Sequence, residues 1–148
     1  MSSNEDLIKL YSGRILALAA HIPHAQRLPI AQVTVKKRSP LCGSTVTVDL
    51  NIEEGRVSDF GQDVKACALG QASASVLGQH VIGRSRAEIE TVRDQLKAML
   101  KAEGPVPDAP FGEYEVLIPA RDYKNRHASI MLALEATLAA FDEASAAA

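Results

Sequence analysis

The sequence predicts an α+β fold in which a three-stranded antiparallel meander is packed by about four helices. Two observations carry this expectation: period-two alternation of apolar and polar residues between Ala31 and Val64, and apolar stripes at helical spacing before and after it. At 148 residues the chain has the length of one domain, 1–148, with the Ala-rich stretch 142–148 expected to fray. Apolar residues make up 47% and charged residues 23% of the chain, an ordinary globular composition. A formal net charge of -2, with both signs mixed along the chain, gives no electrostatic footprint for nucleic acid or an anionic membrane. The start, Met1 to Asp6, is polar and acidic, and no apolar run reaches the roughly 18 residues of a membrane span. A cytoplasmic location without membrane contact is the resulting expectation.

Leu7, Tyr11, Ile15 and Leu18 place one apolar stripe on a helix over Asn4 to Ala20, with Ser3 or Asn4 as its cap, and Pro23 prevents its continuation. Val33 and Val35, then Val46, Val48, Leu50 and Ile52, alternate with polar residues and predict two strands with one buried face. Glu53 to Arg56 reads as a turn with Gly55 available for positive φ, and a third strand runs from about Val57 to Val64. From Ala66 to Ser75 small residues dominate, which suits a helix packed closely on the sheet. Gly83 is expected to close it. Ser85 with Glu88 forms a capping box for the next helix, whose stripe is Ile89, Val92, Leu96 and Met99. The proline-rich stretch Gly104 to Pro110 is a loop, Tyr114 to Pro119 reads as a short extended piece, and the last helix begins near Asn125. On that helix His127, Ile130, Met131, Leu134, Leu138 and Phe141 share one face.

Two cysteines are the residues with the most chemistry. Cys42 lies between Pro40 and Gly43 in the connection of the first two strands, a loop position on a rigid scaffold. Cys67 stands at a helix start, where unpaired N–H groups favour the thiolate, the form that binds metal. Taken alone, each reads first as a small buried hydrophobe, a common role of free cysteine. Their separation by 25 residues excludes a CxxC knuckle, so spacing alone identifies no metal. Lys36, Lys37 and Arg38 form a basic run on a strand edge, a usual form of edge protection.

The segments around these cysteines resemble a family. Ser39-Pro-Leu-Cys42-Gly is similar to the Cys-Gly segment before the second strand of NifU/IscU/SufU iron-sulfur cluster assembly scaffolds. Phe60 to Ser75 is similar to their strand, Gly-Cys turn and Ala/Ser-rich helix. Val81-Ile-Gly-Arg-Ser85, the opening Leu10-Tyr11 helix and Ile118 to Ser129 extend the resemblance over most of the chain. Two positions depart from the family pattern: Ser44 stands where the family has aspartate after Cys-Gly, and Ala128 stands where it has the third cysteine, after His127.

The resemblance implies a non-enzymatic scaffold or carrier that holds iron or a labile 2Fe-2S cluster through Cys42, Cys67 and His127. Ser44, Asp63 and Asp122 are the accessory candidates for the missing ligand. It implies a cysteine desulfurase and iron-sulfur acceptor proteins as partners. Zinc is an alternative metal, because it accepts two cysteines, a histidine and water. The other alternative is a degenerate member that binds partners without a cluster.

Overall fold

The computed structural model describes residues 12–40 and 43–147. Much of the expected Asn4–Ala20 helix, with its Ser3 or Asn4 cap, lies outside the described residues. The described part, α1, spans Gly13–Ala20, and the Ser12 hydroxyl accepts from the Ile15 N–H at 3.3 Å. The strands are β1 (Val33–Arg38), β2 (Thr45–Glu53) and β3 (Arg56–Lys65). They pair antiparallel in the order β1-β2-β3, so the predicted meander is present. Glu54 and Gly55 both take positive φ, 54° and 76°, which gives the β2–β3 hairpin the twist its strands require.

Helix α2 spans Ala68–His80 and α3 spans Arg86–Lys101. Both halves of the Ser85–Glu88 capping box form at the start of α3, and all four residues of the predicted stripe are buried. Tyr114 to Pro119 corrects the sequence expectation. Instead of an extended piece, Gly112–Asp122 is a 3₁₀ helix. Phe111, Tyr114, Leu117 and Ala120 are buried at intervals of three, the period of that helix, and Tyr114 donates from its hydroxyl to the Ser73 carbonyl at 3.2 Å. Alternation of Tyr114, Val116 and Ile118 suggests a strand only when Phe111 and Ala120 are ignored.

A short 3₁₀ turn, Lys124–Arg126, leads into α4, His127–Ala147. The helix is continuous through the Ala-rich residues 142–147, in keeping with the high helix propensity of alanine. It packs against β1, β2, α2 and α3. Its burial therefore extends beyond the expected face: Leu132, Ala133, Ala136, Thr137 and Ala140 are inside as well. The Thr137 hydroxyl is satisfied by the Ala133 carbonyl at 2.8 Å.

The core face of the sheet carries Val46, Val48 and Leu50. The opposite face is covered over part of its length by a strap, residues 21–32, and a buried carboxylate anchors it. Asp49 accepts from Arg27 Nε at 2.6 Å and Nη2 at 3.1 Å, from the Leu28 N–H at 2.9 Å and from the Thr34 hydroxyl at 2.5 Å. Further along, the Gln32 N–H donates to Asn51 Oδ1 at 2.6 Å, and the Gln62 N–H donates to the His24 carbonyl at 2.9 Å. Gly61 lies under the strap, where a Cβ would strike the Gln26 carbonyl.

Burial alone would push the Asp49 carboxyl up, but the bonds from Arg27, Thr34 and Leu28 outweigh it and hold the group below the usual carboxylate value. A folded-state value below the unfolded one stabilises the fold at pH above about 4, and this contribution is lost as pH falls through the lower folded value. Asp49→Asn is expected to cost about 2–4 kcal/mol at pH 7. Denaturant melts across pH are expected to show the gap between wild type and variant narrowing toward acid. A constant gap would mean that the carboxylate charge has no part in the anchor.

Candidate functional site

Two connections and two helix starts meet at the end of the sheet away from the strap. The chain leaves β1 after Arg38 and returns at Thr45; β3 ends at Lys65 and runs through Cys67 into α2; α4 begins alongside. The 39–44 connection is closed by the Ser39 N–H on the Ser44 carbonyl at 2.8 Å and the Gly43 N–H on the Ser39 carbonyl at 3.0 Å. Gly43 takes φ +70°, which only glycine adopts without strain. Cys42 lies outside the described residues.

Cys67 is the N-cap residue of α2 and is half-buried. Its Sγ lies 3.6 Å from the Ser129 hydroxyl, and the same hydroxyl lies 3.1 Å from that of Ser44. Ser129 thereby ties the helix start bearing Cys67 to the connection bearing Cys42. This closeness depends on Gly70. A Cβ there would sit 2.6 Å from Ser129 Oγ and 2.9 Å from Ala66 Cβ, so glycine lets α2 approach α4.

Burial alone would push the Cys67 thiol up. The Gly70 backbone N–H, the Ser129 hydroxyl, the Leu69 N–H and the Arg126 side chain outweigh that effect and hold the thiol below its ordinary value. The two backbone groups do not form a capping hydrogen bond with the sulfur. Their partial positive charge at the helix start still favours the thiolate.

His127 opens α4 and is 2% exposed, with Nε2 2.9 Å from the Ala120 carbonyl. A carbonyl only accepts, so Nε2 carries a proton and donates, which leaves Nδ1 as the ring nitrogen not engaged by this bond. Nδ1 is buried with no hydrogen-bond partner. Successive helical residues turn by about 100°, which sets His127 and Ser129 on different faces of α4. Ser129 meets α2, whereas His127 lines a hollow of about 420 Å³ with Leu100, Lys101, Asp122 and Lys124.

The structure thus joins Ser44 to Cys67 through Ser129 and groups His127 with Asp122. Asp63 is exposed on the strap side of the sheet, paired in register with Thr47. Among the described residues, no three His, Cys, Asp or Glu side chains are grouped to hold a metal ion. Sequence reasoning placed Arg126 and Ser129 in the segment before and at the start of the last helix but gave neither a role at the thiol. Gly70 had a visible signal, since a glycine inside a helix points to a close approach.

An α+β fold that presents a thiol at a helix start, tied by a serine to the connection between β1 and β2, defines a class of thiol-presenting small domains. The NifU-like N terminal domain family matches residues 10–130, and the chain belongs to that family. A crystal structure of a nitrogen-fixing NifU-like protein (N-terminal) from Brucella abortus superimposes with a TM-score of 0.93 at 40% identity, covering 97% of this chain and 99% of that one. A SufU structure from Fervidobacterium islandicum AW-1 shares the fold, with a TM-score of 0.80 at 18% identity, over 90% of this chain and 98% of that one. The iron-sulfur cluster assembly scaffold protein IscU of Thermotoga maritima is 30% identical over 94 residues. That match covers 64% of this chain and 66% of the relative, so the chain spans just under two thirds of this curated relative's length.

Ser129→Ala is expected to slow alkylation of Cys67 severalfold near neutral pH, because it removes one of the groups that favour the thiolate. The measurement is the pH profile of iodoacetamide labelling in a Cys42→Ser background. An unchanged profile would show that the serine has no hold on the sulfur.

Proposed function

We propose that the chain is a non-catalytic scaffold that carries iron or a labile 2Fe-2S cluster as cargo, with Cys67 and Cys42 as ligands. The observation that supports this best is the Ser44–Ser129–Cys67 contact. It joins the start of α2 to the 39–44 connection, in whose sequence Cys42 stands two positions before Ser44. Membership of the family and the IscU name of the Thermotoga relative support the same cargo.

His127 is the third ligand in this proposal, through Nδ1, the ring nitrogen not engaged by Ala120. Reaching a metal beside Cys67 requires the first turn of α4 to rotate. Ala128, at the family's third cysteine position, is exposed. The fourth position is left to Ser44, Asp63, Asp122 or a small thiol. Such incomplete ligation weakens retention and suits release to an acceptor. Zinc satisfies the same donors, with water completing its coordination. The partners are a cysteine desulfurase and iron-sulfur acceptor proteins, met in the cytoplasm. Among the described residues no helix is long and apolar enough to cross a membrane.

Reconstitution with ferrous iron and sulfide without oxygen is expected to give visible absorbance and acid-labile sulfide. Cys67→Ser and Cys42→Ser are each expected to remove most of the bound iron, and His127→Ala to accelerate its loss. Ala128→Cys supplies the family's missing thiolate and is expected to slow cluster transfer to a chelator about tenfold or more. Iron binding that is absent, or indifferent to Cys67→Ser, would refute the scaffold. Zinc retained in preference to iron would identify the zinc-binding version.

A further inference from the structure

The two edges of the sheet differ. On β3 the Val57 N–H donates to the Arg84 carbonyl at 3.0 Å, the Gly83 N–H donates to the Val57 carbonyl at 2.8 Å, and the Gln62 N–H donates to the His24 carbonyl at 2.9 Å, so that edge is engaged. β1 is the opposite edge strand. In an antiparallel ladder the N–H and C=O of one residue point the same way, and successive residues alternate between the two sides. The Ser39 N–H, just past β1, reaches the Ser44 carbonyl at 2.8 Å, and this pair continues the register of Arg38 with Thr45. Val33, Val35 and Lys37 therefore face β2, while Thr34, Lys36 and Arg38 turn their backbone N–H and C=O groups outward. The outward Gln62 N–H gives the same parity through the row Gln62, Val48, Val35. Among the described residues these outward groups meet no hydrogen-bond partner.

A free backbone edge accepts another extended chain, and its charged side chains decide which. Lys36 and Arg38 lie on the outer face and Lys37 on the other, and all are exposed. Among the described residues none of them has a carboxylate within salt-bridge distance. A second copy paired antiparallel about Lys36 sets that lysine against itself with Lys37 and Arg38 close by, and like charges opposite one another oppose pairing. An acidic strand reverses the sign. Carboxylates opposite Lys36 and Arg38 fall two residues apart, the side-chain repeat of a strand. The edge also selects a polypeptide: it offers donors and acceptors in alternation, whereas a phosphate backbone supplies acceptors and leaves the edge carbonyls unpaired.

We propose that the free edge of β1 is a strand-addition site for an extended acidic segment of another protein, which becomes a fourth strand beside residues 34–38. The occupant alternates carboxylates, on the face of Lys36 and Arg38, with apolar residues that continue the row of Val33 and Val35. The site is independent of the cargo carried at Cys67, because β2 separates β1 from β3 and the added strand lies on the far side.

The probe is a capped peptide as long as β1 that alternates aspartate with valine, titrated into the full chain while backbone amide exchange is followed by NMR. The Lys36 and Arg38 amides are expected to exchange about tenfold or more slowly at saturation, and the Lys37 amide, already in the ladder, to change little. Methylating the aspartate amide nitrogens keeps every charge but removes the donors that face β1, and is expected to weaken binding about tenfold or more. K36E/R38E is expected to weaken it as much at low salt and less as salt rises, whereas K65E, across the sheet, leaves affinity within about twofold. Far-UV circular dichroism checks that the variants fold, and the methylated peptide decides on the wild-type chain in any case. Binding that is absent at about 1 mM peptide, indifferent to methylation, or without protection of Lys36 and Arg38 overturns the proposal. Self-association through β1 that the peptide does not disrupt, or tighter binding of duplex DNA to Lys36 and Arg38, overturns it as well.

Discussion

The close approach of α2 to α4 at Gly70 and Ser129 is the constraint on which the cysteine end depends. It allows one serine hydroxyl to touch both Cys67 and Ser44, and so converts a packing contact between helices into a polar link between two chemically important segments. Ser73 repeats the device three residues further along α2, donating to the Ile130 carbonyl at 2.6 Å. Small side chains on α2 thus serve two ends. They bring the helix axes together, and they satisfy polar groups that would otherwise be buried without partners.

That arrangement demands that α4 be a core element. Because the sheet lies on one side of it and helices on others, it must be apolar nearly all round, and its placement fixes where its first turn projects. The first turn then divides its chemistry. Ser129 faces the thiol, while His127 turns toward the end of α3 and is held by Ala120. Among the described residues the outer sheet face is divided in a comparable way: the strap closes one half on Asp49, and Lys36, Arg38 and Lys65 are exposed on the other.

Much of the fold was legible in the sequence because strands and capped helices announce themselves locally. Alternation around Val48 fixed the meander, Gly55 fixed the hairpin, and Ser85 with Glu88 fixed the start of α3. The 3₁₀ helix was not legible in the same way, because Tyr114, Val116 and Ile118 also satisfy a period of two. The decisive residues were outside that window, at Phe111 and Ala120. Nor was Asp49: in an alternating strand it reads as one more solvent-facing polar residue, and only the return of residues 27 and 28 over the sheet buries it. In the site, Cys67 at a helix start followed from local sequence. The link through Ser129 did not, since it joins residues 62 and 85 positions apart.

Asp49 also has a consequence for motion. A single carboxylate collects donors from Arg27, Leu28 and Thr34, while Asn51 and Gln62 hold the neighbouring residues of the strap, so these bonds are not independent. Releasing the carboxylate loosens the segment from about residue 24 to 32 as one body. Its amides then exchange with solvent together, through an opening smaller than global unfolding. The strap is therefore expected to open as a unit separate from the sheet and the helical core that holds Cys67 in place.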